Sequence, residues 1–237
     1  MLICCVLILE PHFAISIETS SIKPDLHVKT IYLDPWYGGK ESGPLFDPKK
    51  YGKTITFEIA QKLQSLLEAA EFKVYLSRQG DQDITLEERR FRGKARGADL
   101  HLAIKVTLSK ADCVRLLVAS PPVKEPQLAT ETRDLKKLGA EVNDMFTHLK
   151  AESIREESLL IAKTISDKFK KWPVPNCVKL VKGKDYILKN AEEPTVMVDF
   201  RISPTASTID DTSLDKIAGL LADSIKEYSD QRSPKGK

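Results

Sequence analysis

The first apolar block with a structural signature is residues 30–33 (Thr30, Ile31, Tyr32, Leu33), a β-branched and aromatic run. It ends at Asp34-Pro35 and gives way to a loop bearing Gly38 and Gly39, which predicts a strand whose carboxyl end opens into a loop. Over residues 51–72 the apolar positions Ile55, Ile59, Leu63, Leu66 and Leu67 fall at helical spacing with one buried stripe. Residues 73–77 alternate as a short strand, so the first unit reads βαβ, and parallel pairing follows from its crossover. Thr85 and Glu88 have capping-box spacing ahead of a helix to Arg96, stopped by Gly97. Its many basic residues read as a solvated face. Residues 99–106 and 113–119 are further strands, and Pro121, Pro122 and Pro126 mark a loop.

Residues 129–171 are charged and helical, with one apolar set at Leu135, Leu138, Val142, Met145, Phe146 and Leu149 and another at Leu159, Leu160, Ala162, Ile165 and Phe169. They read as two helices, the second near 156–172 and closed by Pro173 and Pro175. Short β-like pieces follow at 178–181 and 186–188. Residues 195–200 are apolar enough for an interior strand, and 213–228 form a last amphipathic helix. Residues 229–237 read as a polar, disordered tail. Strands alternating with helices predict a single α/β domain with a mostly parallel sheet and helices on both faces.

Composition changes this picture little. A 237-residue chain with 41% hydrophobic and 30% charged residues can bury a substantial core in one domain. The net charge of +3 is interleaved along the chain, which excludes a nucleic-acid footprint. Cys4, Cys5, Cys113 and Cys177 have neither CxxC spacing nor nearby histidines, so a disulfide framework and a cysteine zinc site are not expected. Cys113 and Cys177 are read as small buried hydrophobes, with their pairing the alternative. The apolar run 2–9 has the length of a signal-peptide core and is too short to span a bilayer. It lacks a basic segment before it and a clear cleavage site after it. An export leader, an extra N-terminal strand and a disordered segment all stay open for residues 1–26, and no integral membrane span is expected.

The loop Leu33-Asp34-Pro35-Trp36-Tyr37-Gly38-Gly39 resembles the opening motif of the zinc-dependent N-acetylmuramoyl-L-alanine amidases, which cleave peptidoglycan. Ser77, Arg78, Asp81, Thr85, Leu86 and Arg89 resemble that family's next stretch. Ala98-Asp99-Leu100 is similar to the start of its third strand, and Glu193-Pro194 through Asp199 to its late catalytic strand. The resemblance runs over residues 29–228, weakest at 124–151, and implies a domain at 27–228 with a divergent helical insertion at 124–151. It implies a twisted, mostly parallel sheet of about six strands, amidase/phosphorylase-like.

In the resembled family zinc is held by two histidines and a glutamate, leaving a fourth position for a water that attacks the amide. The resemblance places these ligands at Tyr37, Gly52 and Lys105, and the catalytic glutamate at Asp199. Glycine donates nothing, a protonated lysine cannot coordinate, and a phenol titrates near pH 10. Tyr37, Gly52, Lys105 and Asp199 are thus expected to form a vestigial site without metal, cofactor or catalytic residue. His101, four residues before Lys105, would stand about 13 Å along the strand, too far to replace a ligand. A lone His12, His27 or His148 is more often structural than a ligand, and Asp34 reads as a turn or strand-end residue. Lys105 is expected either to pair with Asp199 or to extend into solvent. Trp36 and Tyr37 are candidate substrate-binding residues, Trp36 alternatively a packing residue.

Three functions remain: a catalytically inactive peptidoglycan-binding or regulatory protein of the cell envelope or periplasm, an active amidase cutting the muramoyl-L-alanine bond, or an interaction module using residues 129–171. The partners implied are peptidoglycan or a cell-envelope protein.

Overall fold

The computed structural model describes residues 28–47, 50–120, 135–172, 177–203 and 210–232, with 135–138, 140 and 141 as backbone only. The leader reading for 1–26, the proline loop after 120, Pro173 and Pro175, and residues 233–237 lie outside the described residues.

Eight strands and five helices follow in the order β1 (Thr30–Pro35), β2 (Leu45–Asp47), β3 (Lys50–Tyr51), α1 (Gly52–Glu68), β4 (Lys73–Leu76), α2 (Leu86–Ala95), β5 (Leu100–Leu108), β6 (Cys113–Ala119), α3 (Leu135–Lys170), β7 (Val178–Gly183), α4 (Tyr186–Lys189), β8 (Thr195–Ile202) and α5 (Asp211–Arg232). Six strands form one sheet in the order β4-β1-β5-β8-β6-β7. Among the described strands of this sheet only the β6–β8 pair is antiparallel. The expected α/β domain with a mostly parallel six-stranded sheet is therefore what forms.

Alternate residues point to opposite faces of the sheet. One face carries Ile31, Leu33, Leu102, Ile104, Val106, Leu116, Val196 and Val198, all essentially inaccessible, and α1, α3 and α5 pack together over it. The β1–α1–β4 and β4–α2–β5 crossovers run in opposite directions, and right-handed connections put α1 and α2 on opposite faces. The second face, under α2 and α4, carries Tyr32, Asp34, His101, Lys105 and Asp199. It is the polar one.

Several elements depart from the sequence reading. Residues 135–170 are one 36-residue helix, not two. No proline interrupts it, and the two apolar sets are two stretches of one continuous spiral. At about 54 Å it is far longer than any strand it covers. Its later half buries Ile161, Ala162, Ile165 and Phe169, whereas Val142, Phe146 and Leu149 stay exposed. The described part of the expected insertion is thus the start of α3. Residues 186–188 are helical, a short apolar run that periodicity cannot assign. Residues 45–47 and 50–51 pair as two short antiparallel strands where a loop was expected. Helix α5 runs to Arg232, past the expected start of the tail, because its end is anchored. The Tyr228 hydroxyl donates to Glu157 (2.9 Å), Arg232 pairs with the same carboxylate, and Ser229 donates to the Val28 carbonyl (3.2 Å).

Cys113 and Cys177 form a disulfide, against the expectation of free hydrophobes. Strands β6 and β7 pair in parallel, which brings two cysteines 64 residues apart to a Cα separation of 4.5 Å.

Candidate functional site

From β1 the chain moves outward to β4, then returns across β1 to β5. A crevice outside the strands' carboxyl ends opens at such a reversal. Here the loop after β1 meets β5 and, beyond it, β8 at that reversal.

The loop is fixed from both sides. The Trp36 N–H donates to Ile104 O (2.8 Å), extending the β1–β5 pairing, and the Thr56 hydroxyl donates to Trp36 O (2.7 Å). Tyr37 then adopts φ 66°, with Gly38 and Gly39 at 140° and 54°. A Cβ on Gly39 would run into the Asp83 carboxylate, so glycine is required there. The Gly39 N–H donates to Asp81 (2.7 Å), the Lys40 N–H to Asp83 (2.6 Å), and the Lys53 ammonium bridges Gly39 O (2.9 Å) and Asp81 (2.6 Å).

Two buried arginines hold the loop from beneath. Arg78 donates to the carbonyls of Pro35 (3.2 Å), Gly80 (2.7 Å) and Lys53 (2.6 Å). Arg89, 2% exposed, pairs with the fully buried Asp34 and donates to the carbonyls of Pro35 (3.2 Å) and Tyr37 (3.1 Å). This corrects two expectations. Asp34 stands at the end of β1, one of its two expected places, but as a buried counter-ion and not in a turn, and α2 is not wholly a solvated face. Burial alone would raise the Asp34 pKa, but the Arg89 charge and then His101 bring it down to about 2.

His101 lies at the other end of β5 from Lys105, opposite Tyr32 in the β1–β5 register. It is 2% exposed, with Nε2 3.6 Å from Asp34 and Nδ1 3.5 Å from Glu193. Burial disfavours its protonation, the two carboxylates favour it, and the balance raises its pKa to about 8.

The four expected site positions do converge on the crevice. The Tyr37 ring packs against the start of α1: a Cβ on Gly52 would stand 3.1 Å from its Cε2 and 3.3 Å from its Cδ2. The Tyr37 hydroxyl donates to Val106 O (2.9 Å). Burial, then the charges of Asp199 and Glu41, push its pKa up to about 12. Lys105 and Asp199 are register partners on β5 and β8, yet no ion pair within 4.0 Å joins them. The Lys105 ammonium lies over the Trp36 ring, 5.3 Å from its centroid, instead of reaching freely into solvent. Asp199 accepts from Thr107 (2.7 Å) and faces Arg115 at 3.9 Å. Trp36 also has the Arg89 guanidinium 5.1 Å from its centroid. Trp36 and Tyr37 are each 7% exposed, which leaves little ring surface to meet a ligand.

As a donor set for zinc these positions fit poorly. They offer a protonated phenol already engaged as a donor, a residue without a side chain, and an ammonium. Among the described residues no group of three or more His, Cys, Asp or Glu side chains is placed to hold a metal ion. Nor is any helix among them long and apolar enough to cross a membrane. Sequence reasoning missed Thr107 and Arg115, whose signal is their register with Asp199 and its neighbours.

Comparison with known proteins bears on what this frame is. AmiC amidases of Escherichia coli O6:H1 and Neisseria meningitidis serogroup B are 37% identical over 75 residues and 34% over 74. Each match covers 31% of this chain and only 18% of the relative's length. The amidase Ami1 of Mycobacterium smegmatis superposes with a TM-score of 0.65 at 14% identity, covering 87% of this chain and 99% of that one. CwlD from Clostridioides difficile, solved in complex with the GerS lipoprotein, gives 0.59 at 19% identity, covering 86% and 99%. The family model described as N-acetylmuramoyl-L-alanine amidase (Amidase_3) matches residues 31–227, and on that match the chain belongs to the N-acetylmuramoyl-L-alanine amidase family.

Proposed function

We propose that this chain is a catalytically degenerate member of the family, a pseudoenzyme that binds peptidoglycan or regulates its processing in the cell envelope. One observation carries the reading: the Tyr37 ring fills the space beside residue 52, and its hydroxyl is committed to the Val106 carbonyl. The change at one ligand position therefore depends on the change at the next. Lys105 supplies a fixed positive charge in the same crevice, and Asp199 keeps a carboxylate with no metal-bound water to serve. The Cys113–Cys177 disulfide supports an oxidising compartment such as the periplasm.

The test is sedimentation with purified sacculi alongside a turnover assay on a soluble muramoyl-peptide. Binding without release of L-alanine peptides is expected. Release at a rate proportional to protein would establish an active amidase instead.

A second reading, docking of an envelope protein, is supported by Val142, Phe146 and Leu149, which expose one apolar stripe on α3. The structure of the relative CwlD contains a lipoprotein partner. Replacing the three with serine should abolish partner capture and leave sacculus binding intact.

A further inference from the structure

The paired strands β5, β8, β6 and β7 place Lys105, Asp199, Arg115 and Lys179 at one level of the sheet, each the register partner of the next. Register partners share a face, so the four side chains form one transverse row of three cations around a single carboxylate. The carboxylate is already served by the Thr107 hydroxyl at 2.7 Å, and its distance to Arg115 is a long 3.9 Å. Among the described residues Lys105 has no carboxylate within 4.0 Å, and the Arg115 side chain makes no hydrogen bond. Lys105 is held in place by the Trp36 ring beneath its ammonium, 5.3 Å from the centroid. Arg115 keeps 31% of its side chain accessible. Lys179 is exposed.

We infer that this row is a binding site for a carboxylate-bearing peptide, and the inference rests on the wall-binding reading for the source of that peptide. Lys105 and Arg115 meet the ligand's carboxylate, Arg115 in a planar two-point contact. Asp199, set between them, accepts an amide N–H from the same ligand. A carboxylate beside an N–H donor is peptide chemistry. A phosphomonoester dianion would face Asp199 with no donor to offer it, and inorganic phosphate offers only a P–OH, not a carboxylate beside an amide N–H.

The probe is a soluble muropeptide with free peptide carboxylates, titrated into the folded protein by calorimetry and by intrinsic fluorescence of Trp36 and Trp172. Its methyl ester, an acidic tripeptide and inorganic phosphate serve as comparisons. Lys105→Met keeps the stem and removes the charge, and should weaken binding about tenfold or more. Arg115→Met should weaken it less, and Lys216→Met, on the opposite side of the domain, should not. Esterification should reproduce the Lys105→Met loss in the wild-type protein. Muropeptide binding unchanged in Lys105→Met overturns the inference and leaves wall binding standing. Tripeptide bound through Lys105 with no muropeptide bound supports the anion site and overturns wall binding. Equal binding of the ester, displacement by phosphate at equal concentration, or no binding of either peptide overturns the inference.

Discussion

Substituting Gly52 by alanine probes the contact on which the account of the crevice depends. The new Cβ would stand 3.0 Å from Pro44 Cδ, 3.1 Å from Tyr37 Cε2 and 3.3 Å from Tyr37 Cδ2. Carbon atoms rest at about 3.5–4.0 Å, so three neighbours must each yield several tenths of an ångström. Overpacking of this kind costs about 1–3 kcal/mol. Reduced freedom of the unfolded chain returns about 0.4–1 kcal/mol when glycine becomes alanine. Gly52→Ala should therefore destabilise the wild-type protein by about 1–2 kcal/mol. Two of the three close contacts are with the Tyr37 ring. In a Tyr37→Ala background the Pro44 contact remains, and the same substitution should cost about 1 kcal/mol less, which is the coupling between the two positions. Urea unfolding of the four proteins in a double-mutant cycle measures it. Additivity within about 0.3 kcal/mol would refute the claim that ring and glycine are mutually dependent.

The buried pairs make further predictions. His101 has a folded pKa of about 8 against an ordinary 6.5, so its stabilisation is complete below pH 6.5 and lost as pH rises through 8. That amounts to about 2 kcal/mol between urea titrations at pH 6 and pH 9, and His101→Phe should flatten the difference. The groups facing His101 are Asp34, Glu193 and Tyr32, with Arg89 across Asp34. Asp34→Asn leaves the Arg89 guanidinium buried without its counter-ion and should cost about 3–5 kcal/mol in unfolding free energy. Reducing the Cys113–Cys177 disulfide, or replacing both cysteines by serine, opens a 64-residue span. Chain entropy puts the loss at about 4 kcal/mol, read as a lower denaturation midpoint.

The sheet was legible because strand and helix periodicities differ, and the site loop because Asp34-Pro35 and the glycines punctuate it. What sequence could not supply were pairings between distant residues. Asp34 looked like a plain turn or strand-end residue because its partner Arg89 lies 55 residues away on a helix so charged that it read as solvated. Cys113 and Cys177 carried no spacing signal, since strand pairing alone brings them together. Positions 37, 52 and 105 could be named from the resemblance, but the packing of Tyr37 on Gly52 needed coordinates. So did the choice Lys105 makes: chemistry suggested Asp199, and an aromatic face at the loop's first residue took it instead.

The central claim is that these side chains no longer form a zinc site. The purified protein should be dialysed against excess zinc, then against buffer, and its metal content measured beside that of Tyr37→His/Gly52→Glu/Lys105→His, the variant that restores the three ligands. Well under one zinc per wild-type chain is expected, with a gain in the variant. One zinc per wild-type chain, retained through dialysis and accompanied by muramoyl-peptide hydrolysis, would contradict it.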